Sequence, residues 1–155
     1  MTYVAEGATR LVSALPTTIS DGCIEVLGVP LVAGRWFTNQ EAFPSVVVSQ
    51  SMARRLWADG RNPVGQRVHF GLPTGEVLTI VGVSGDIRGS ALEGDWSPVV
   101  WMPQSLGFFT PKRLLVRYHG SAGTDPSALR AALKDVDPEV ALANVRSLDD
   151  ILAQA

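Results

Sequence analysis

The sequence has few of the residues that cross-link a chain or hold a metal ion. Its 155 residues include one cysteine, Cys23, and two histidines, His69 and His119. A single cysteine excludes an internal disulfide, and the three positions match no zinc-site spacing. We therefore predict neither a metal centre nor a cofactor, and cysteine usage leaves the redox compartment open.

Charged residues are also scarce, and neither sign is in large excess. They make up 18% of the chain and leave a formal net charge of −2. Proteins that bind nucleic acid usually present a basic patch or stripe, which this composition does not supply. We therefore predict that nucleic acid is not a partner.

Long apolar segments are missing as well. The longest apolar stretches, near residues 77–83 and 98–102, fall far short of the ~18 residues that suggest a membrane span. The opening residues MTYVAEGATR lack the basic start and the apolar core of a signal peptide. Taken alone, these features favour a cytosolic protein, provided that the chain is not a piece of a longer one.

The most informative part of the sequence is the segment 46–84. Val46–Val48 is a β-branched run without charge, which is typical of a strand covered on both faces. Ser49 follows at the position of a helix N-cap, and the next residues have the periodicity of a short amphipathic helix. Gln66–Phe70 and Val77–Val83, joined through the loop residues GLPTG, predict a β-hairpin.

Further strands and helices are predicted on either side of this segment. The strands are Thr9–Leu15 (ended by Pro16), Pro98–Met102, Arg113–Tyr118 and Glu139–Val145. The first predicted helix is short: Ser20-Asp21 offers its N-cap, Ile24 and Leu27 face inward, and Gly28 ends it. A second helix is predicted over Pro126–Val136, and Ser147 opens a third. This order indicates an α+β fold in which 113–145 forms a strand–helix–strand unit and the central hairpin region forms its own lobe.

No set of residues in the sequence is an obvious catalyst. The glycines of GVSGDIRG, residues 82–89, do not have the G-x-G-x-x-G spacing of a phosphate loop, so a turn is the simpler interpretation. Asp86, Arg88 and His69 are the candidates for an alternative function, a small cytosolic α+β enzyme or ligand-binding domain. That function requires the three side chains to converge on one pocket, and their placement on separate faces would exclude it.

Aromatic residues supply the candidate contacts with a partner. Of four tryptophans, Trp36 and Trp57 fit core patterns, whereas Trp96 lies in a loop rich in glycine and aspartate. Tryptophan is enriched at interface hot spots, so Trp96 is a candidate partner contact, with local packing as the alternative. Phe108 and Phe109, predicted to be exposed or half-buried, are two further candidates.

Four segments together resemble the MacB-like periplasmic core domain family. They are IEVLGVPLVAGRWFT, VVVSQSMARRLW, NPVGQRVHF and TIVGVSGDIRGSALEGDWSPVVWMP. The residues that match the family pattern are Gly28, Pro30, Gly34, Arg35, Phe37 and Thr38; Ala53, Arg54, Arg55 and Trp57; Pro63, Gly65 and Arg67; and Val81 to Arg88. The tail DPSALRAALKDVDPEVALANVRSLDDILAQ resembles the closing helix, strand and helix of the family, so the resemblance covers about residues 20–154.

The resemblance implies a domain inserted between membrane helices of an ABC-type permease of the MacB/FtsX-like class. Such domains lie outside the cytoplasmic membrane and carry no catalytic residues, so the chain is expected not to be an enzyme. Residues 1–42 and 106–155 would form a discontinuous porter-like lobe that contains the strand–helix–strand unit. Residues 43–105 would form an inserted, mostly β lobe made of a strand, a helix and a hairpin.

The same resemblance implies partners and a location. The partners would be the transmembrane part of the same permease, a periplasmic adaptor protein and a cytoplasmic ABC ATPase. The expected location is the periplasmic side of a bacterial inner membrane, with a membrane helix before Met1 and another after Ala155. On this interpretation the chain is a soluble excised piece of a membrane protein, which explains the missing signal peptide.

Overall fold

The computed structural model describes residues 1–38, 40–41, 44–87, 96–106, 113–118, 126–139 and 143–153. The strands are β1 (Thr2–Ala5), β2 (Leu11–Ser13), β3 (Leu15–Ile19), β4 (Leu31–Gly34), β5 (Ser45–Ser49), β6 (Arg67–Phe70), β7 (Val77–Ser84) and β8 (Val99–Pro103). The helices are α1 (Cys23–Leu27), α2 (Gln50–Leu56), α3 (Pro126–Val136) and α4 (Leu148–Leu152), with a 3-10 turn at Gln104–Leu106. The predicted α+β class is therefore confirmed.

The chain divides into two compact units, Met1–Leu115 and Val116–Ala155. The proposed division into a discontinuous lobe (1–42 and 106–155) and an inserted lobe (43–105) stays a prediction. None of the described helices is long and apolar enough to cross a membrane.

One mixed sheet dominates the first unit, and β7 is its central strand. The strand order is β2-β1-β6-β7-β5-β8-β3, with β4 added beside β7. β5 runs parallel to β7, whereas β6 and β4 run antiparallel to it. β6 pairs with the first residues of β7, Val77 to Thr79, and β4 pairs with the last, Gly82 to Ser84. The predicted hairpin of β6 and β7 is confirmed.

The two faces of the sheet carry separate apolar cores. In β5, Val46 and Val48 belong to one core and Val47 to the other, because successive side chains of a strand point to opposite faces. In β8, Met102 packs in the first core and Trp101 in the second. Burying such side chains contributes about 1.5–3 kcal/mol each. The strand predicted at the uncharged valine run, Val46–Val48, is confirmed as β5. Its complete burial explains the absence of charge.

The helix α2 forms as the sequence predicts. The Ser49 side chain accepts a hydrogen bond from the backbone N–H of Met52 and so caps the first turn. Met52 and Trp57 are buried, while Arg54 and Arg55 are exposed on the outer face. The amphipathic helix thus covers one face of the sheet with its apolar residues.

The N-terminal region contains more sheet than the sequence indicates. β1 was not predicted, yet Tyr3 is completely buried and β1 pairs with both β2 and β6. The prediction that Pro16 ends a strand is wrong, because Pro16 lies inside β3. β3 is at the end of the strand order and, among the described residues, pairs only with β8, so a residue without an N–H is tolerated there.

The short helix α1 is confirmed, but its start and its inner face differ from the prediction. Gly22, with a φ of 81°, occupies the N-cap position and no side chain caps the helix. Ser20 and Asp21 therefore do not serve as the cap. Ile24 is buried as expected, whereas Leu27 is 41% exposed. Gly28 ends the helix in the left-handed conformation that glycine adopts without strain.

In the C-terminal part, the helices match the sequence and the strands do not. α3 spans the predicted residues, and the Ser147 side chain accepts a hydrogen bond from the backbone N–H of Asp150 at the start of α4. Residues 113–118 are exposed, irregular chain, so the strand predicted there is wrong. Apolar pattern alone cannot stabilise a strand, which needs a hydrogen-bonded neighbour. Of the strand predicted at 139–145, residues 140–142 lie outside the described residues and the others are not in a strand.

Candidate functional site

The carboxyl ends of the parallel strands β5 and β7 carry a buried polar cluster. Ser49 and Ser84 are register partners and are both completely buried. Ser51, in the first turn of α2, is 6% exposed, and Asp86 follows two residues after β7. We call Ser49, Ser51, Ser84 and Asp86 the serine–aspartate cluster. Its members come together because parallel neighbours end at the same edge of a sheet.

Ser49 joins the start of α2 to the start of β8. Its Oγ accepts hydrogen bonds from the backbone N–H of Met52 at 3.3 Å and of Val99 at 3.0 Å. It also lies 3.0 Å from the Oγ of Ser51. Because all of these groups are buried from water, each needs a partner inside the protein. One hydroxyl therefore satisfies donors from two elements, and one of these donors, Val99, is 50 residues from Ser49 in the sequence.

Asp86 provides a second cap for α2. Its Oδ1 accepts a hydrogen bond from the backbone N–H of Ser51 at 2.6 Å, and its Oδ2 accepts one from Nη2 of Arg54 at 2.8 Å. Burial alone would raise the pKa of Asp86, but the hydrogen bonds from Ser51 and Arg54 hold it below its ordinary value. Asp86 is therefore a carboxylate at neutral pH, at the helix end where negative charge is favourable.

The cluster holds both ends of the connection between β7 and β8. At the first end, the Ser84 Oγ accepts a hydrogen bond from Nε1 of Trp101 at 2.9 Å, and Gly85 donates its backbone N–H to the carbonyl of Pro30 at 2.8 Å. At the second end, the Ser51 Oγ lies 3.5 Å from the carbonyl oxygen of Ser97. A serine of the cluster therefore contacts the chain at each end of this connection.

Two glycines allow β4 and β7 to approach closely. A Cβ added at Gly34 would lie 2.3 Å from the backbone oxygen of Val81, and one added at Gly82 would lie 2.3 Å from the backbone oxygen of Arg35. Gly34 also has a φ of +74°, which side-chain-bearing residues rarely adopt. The backbone N–H of Arg35 then donates to Val81 at 3.0 Å. Two of the sequence segments that resemble the family meet at this contact.

The structure separates two of the three residues of the alternative enzyme or ligand-binding function. His69 pairs with Val77 at the start of β7, and its Nδ1 lies 3.2 Å from the backbone oxygen of Gly75. Asp86 lies beyond the opposite end of β7, roughly 25 Å away for an eight-residue strand. Arg88 lies outside the described residues. The convergence that this alternative requires is therefore absent for His69 and Asp86.

The predicted partner contacts remain predictions. Trp96 is 46% exposed, and it immediately precedes the residue whose carbonyl faces Ser51. Phe108 and Phe109 lie outside the described residues. Within the described ranges, no group of three or more His, Cys, Asp or Glu side chains is placed to hold a metal ion. Burial and the charge of Glu25 raise the pKa of Cys23.

The pairing of Arg54 with Asp86 is not predicted from the sequence, which groups Asp86 with Arg88 and His69. Arg54 is indeed exposed, with 63% of its side chain accessible, but its guanidinium reaches back to Asp86. The signal was present in the sequence, because both residues stand in segments that carry the family resemblance.

Two solved structures are similar to this chain in fold. The extracellular domain of the noncanonic ABC-type transporter YknZ from Gram-positive bacteria is similar at a TM-score of 0.53 and 18% identity, over 68% of this chain and 51% of that one. A domain assigned to a permease protein of Porphyromonas gingivalis is similar at a TM-score of 0.59 and 19% identity, over 97% of this chain and 76% of that one. At these identities the likeness concerns the fold.

This chain thus spans about half the length of the YknZ domain. No curated protein sequence matches it significantly. The family described as "MacB-like periplasmic core domain" matches residues 3–147, which is most of the chain. The chain belongs to the family of MacB-like periplasmic core domains.

Proposed function

We propose that this chain is a non-enzymatic, extracytoplasmic domain of an ABC-type permease. In this role it couples conformational change in the membrane-spanning part to a substrate or to a periplasmic adaptor protein. The observation that carries the proposal is the family match over residues 3–147. A cytoplasmic ATPase would supply the energy, and the transmembrane part of the same permease would transmit the movement.

The packing of the first unit supports a coupling role. A domain that transmits movement must itself deform little, and close-packed interiors have low compressibility. Here an eight-stranded sheet has an apolar core on each face, and the serine–aspartate cluster ties α2 to the strand ends. Force applied at the β7–β8 connection would therefore reach β5, β7 and α2 directly.

The partner contact that we propose is centred on Trp96. Its indole is 46% exposed and it stands next to a fixed end of the β7–β8 connection. An exposed tryptophan on a rigid support loses little conformational freedom when it is buried by a partner. Phe108 and Phe109 are proposed as additional contacts of the same kind.

The location is tested by labelling a cysteine in the full permease in intact cells. Leu72, 64% exposed in the β6–β7 turn, is replaced in an L72C variant, and the natural Cys23 is replaced by serine. We expect a membrane-impermeant maleimide to label L72C before lysis. Labelling only after lysis would place the domain in the cytoplasm and overturn the proposal.

The coupling role is tested with a photo-crosslinking amino acid at position 96 of the full permease. We expect covalent adducts with an adaptor protein or with another part of the permease, and none from the same amino acid at Leu72 in the hairpin turn. In parallel, W96A should lower partner-stimulated ATP hydrolysis and leave the basal rate unchanged. Equal adducts at both positions, or full stimulation in W96A, would contradict the proposed contact.

A further inference from the structure

Two arginines approach the middle of β7 from opposite directions. β4 and β6 both lie antiparallel to β7 on the same side, β4 beside its end and β6 beside its start. Arg35 directly follows β4, and its backbone N–H donates to Val81 at 3.0 Å. Arg67 opens β6 and pairs with Thr79. The gap between these two strands therefore has a cationic side chain at each end.

An open groove of about 720 Å³ lies beside this part of β7, a size typical of small-molecule sites. It is lined by Arg35, Thr38, Glu41, Ser45, Arg67, Thr79 and Val81. We call it the Arg35–Arg67 groove. Three of the lining residues carry hydroxyl groups, and the half-buried Thr79 and Val81 of β7 belong to the sheet itself.

Glu41 fixes one of the two arginines. Its two carboxylate oxygens accept hydrogen bonds from Nη1 and Nη2 of Arg35 at 2.5 and 3.3 Å, and it accepts a third from the backbone N–H of Thr38 at 3.0 Å. These contacts lower the pKa of Glu41 to about 2, so it remains ionised and paired. Arg35 is therefore held in place rather than free to rotate.

Arg67 makes a longer and more exposed ion pair than Arg35 does. Its Nη1 lies 3.6 Å from Oε1 of Glu6, and 54% of the Glu6 side chain is exposed. An exposed ion pair of this length contributes little, so a ligand can displace it at low cost. With Glu41 holding Arg35, Arg67 is the arginine of the groove whose charge is paired only weakly, through the exposed contact with Glu6.

We propose that the Arg35–Arg67 groove binds a small solute that carries an oxyanion, a carboxylate or a phosphate. Arg67 supplies the charge-assisted hydrogen bonds, the arginine fork matching the planar or tetrahedral oxyanion. The Thr79 hydroxyl supplies a neutral donor from β7, and Arg35, positioned by Glu41, closes the opposite end. The site would give this domain a solute-recognition role of its own, independent of whether it contacts an adaptor.

The test titrates the 155-residue chain with inorganic phosphate and, separately, with citrate, and follows binding by calorimetry and by backbone amide shifts. The variants are R67Q and T79V, and the matched control is R61Q. Arg61 is an equally exposed arginine (58% against 59% for Arg67) that binds Asp59 outside the groove. Preference for citrate or for phosphate identifies the carboxylate or the phosphate as the recognised group.

We expect saturable binding that R67Q weakens about 10-fold or more, as loss of one charge-assisted contact requires. T79V should weaken binding several-fold, and R61Q should leave it unchanged. The amide shifts should cluster at residues 35, 67 and 79. No saturable binding of either anion, or equal weakening in R61Q and R67Q, would overturn the proposal.

Discussion

Asp86 and Arg54 stand 32 residues apart in the sequence, and their side chains meet at 2.8 Å where β7 ends and α2 begins. Arg54 is exposed and contributes one arm of the contact, while the other carboxylate oxygen of Asp86 binds the backbone N–H of Ser51. Asp86 therefore forms an ion pair with Arg54 and also caps α2.

Replacing Asp86 by alanine should lower the free energy of unfolding by about 2 kcal/mol. The backbone N–H of Ser51 would lose its partner, and loss of a helix cap typically costs ~1 kcal/mol, more when the donor is shielded from water. R54A should cost less than 1 kcal/mol, because it removes only an exposed ion pair. Urea unfolding of the two variants measures the difference.

The control for D86A is D59A. Asp59 also binds an arginine, Arg61, but both side chains are more than half exposed. The D59A variant should therefore unfold at the same urea concentration as the wild type. If D86A lowered the free energy of unfolding no more than D59A does, the capping role of Asp86 would be wrong.

Acid should weaken the fold through Glu41. The pKa of Glu41 is about 2 in the folded chain against an ordinary value of 4.5, chiefly because Arg35 hydrogen-bonds the ionised form. A carboxyl group whose pKa is lower in the folded chain than in the unfolded chain stabilises the fold at pH values above its ordinary pKa. This stability is lost as pH falls from about 4.5 towards 2. Because the pair is open to water and salt, we expect a contribution of only about 1 kcal/mol.

The measurement is urea unfolding of wild type and E41Q between pH 2 and 7. The two proteins should differ at pH 6 and converge near pH 2, where Glu41 itself becomes neutral. A constant difference across this range would show that the substitution acts through packing and not through charge. Ser45 is a further hydrogen-bond partner of Glu41. This serine is present in both the wild type and E41Q.

Tyr3 should tolerate loss of its hydroxyl. The side chain is completely buried, and its OH has no hydrogen-bond partner among the described residues. Y3F keeps the edge-to-face contact with Phe70, whose ring centroid is 5.4 Å away, and removes a buried polar atom. We expect stability equal to the wild type or up to about 1 kcal/mol higher, whereas Y3A should cost about 3–5 kcal/mol. Thermal unfolding distinguishes these outcomes.

Alkali provides an independent test of the same burial. Burial raises the pKa of Tyr3 from 10.0 to about 12. Because the folded state holds the proton more tightly, stability falls as pH rises from about 10 to 12, by about 2–3 kcal/mol in all. Y3F should not show this loss. Equal alkaline sensitivity in both proteins would mean that Tyr3 is accessible to water.

Alanine at Gly82 should disrupt the meeting point of β4 and β7. The new Cβ would lie 2.3 Å from the backbone oxygen of Arg35, and backbone cannot move aside as a side-chain tip can. We expect a loss of about 3 kcal/mol or more. In the control G60A, nothing lies within 4 Å of the new Cβ and only the positive φ of +75° is unfavourable, so the loss should be about 1 kcal/mol. Denaturant unfolding separates the two.

The parts of the fold that the sequence predicts are those with a complete local signal. α3 carries its own periodicity and a proline at its first position, and its predicted bounds match the structure. The β5–α2 segment combines an uncharged valine run with a serine cap. In these cases neighbouring residues alone decide the conformation.

The parts that the sequence does not predict depend on distant partners. Tyr3 lies in a strand because β2 and β6 flank it, and Pro16 lies in one because β3 is an outer strand. Conversely, 113–118 has a strand-like composition but forms no strand. The serine–aspartate cluster likewise joins segments whose separation in the sequence hides their contact, so only the folded chain reveals it.

Pro16 in β3 has a consequence for crowded conditions. The backbone N–H of Leu15 donates towards β8, so the next residue is the one whose amide would point outward. Proline has no amide hydrogen at that position. The edge strand β3 therefore offers one hydrogen-bond donor fewer to a strand of another molecule. Copies of this domain at high concentration are thereby discouraged from pairing edge to edge into cross-β aggregates.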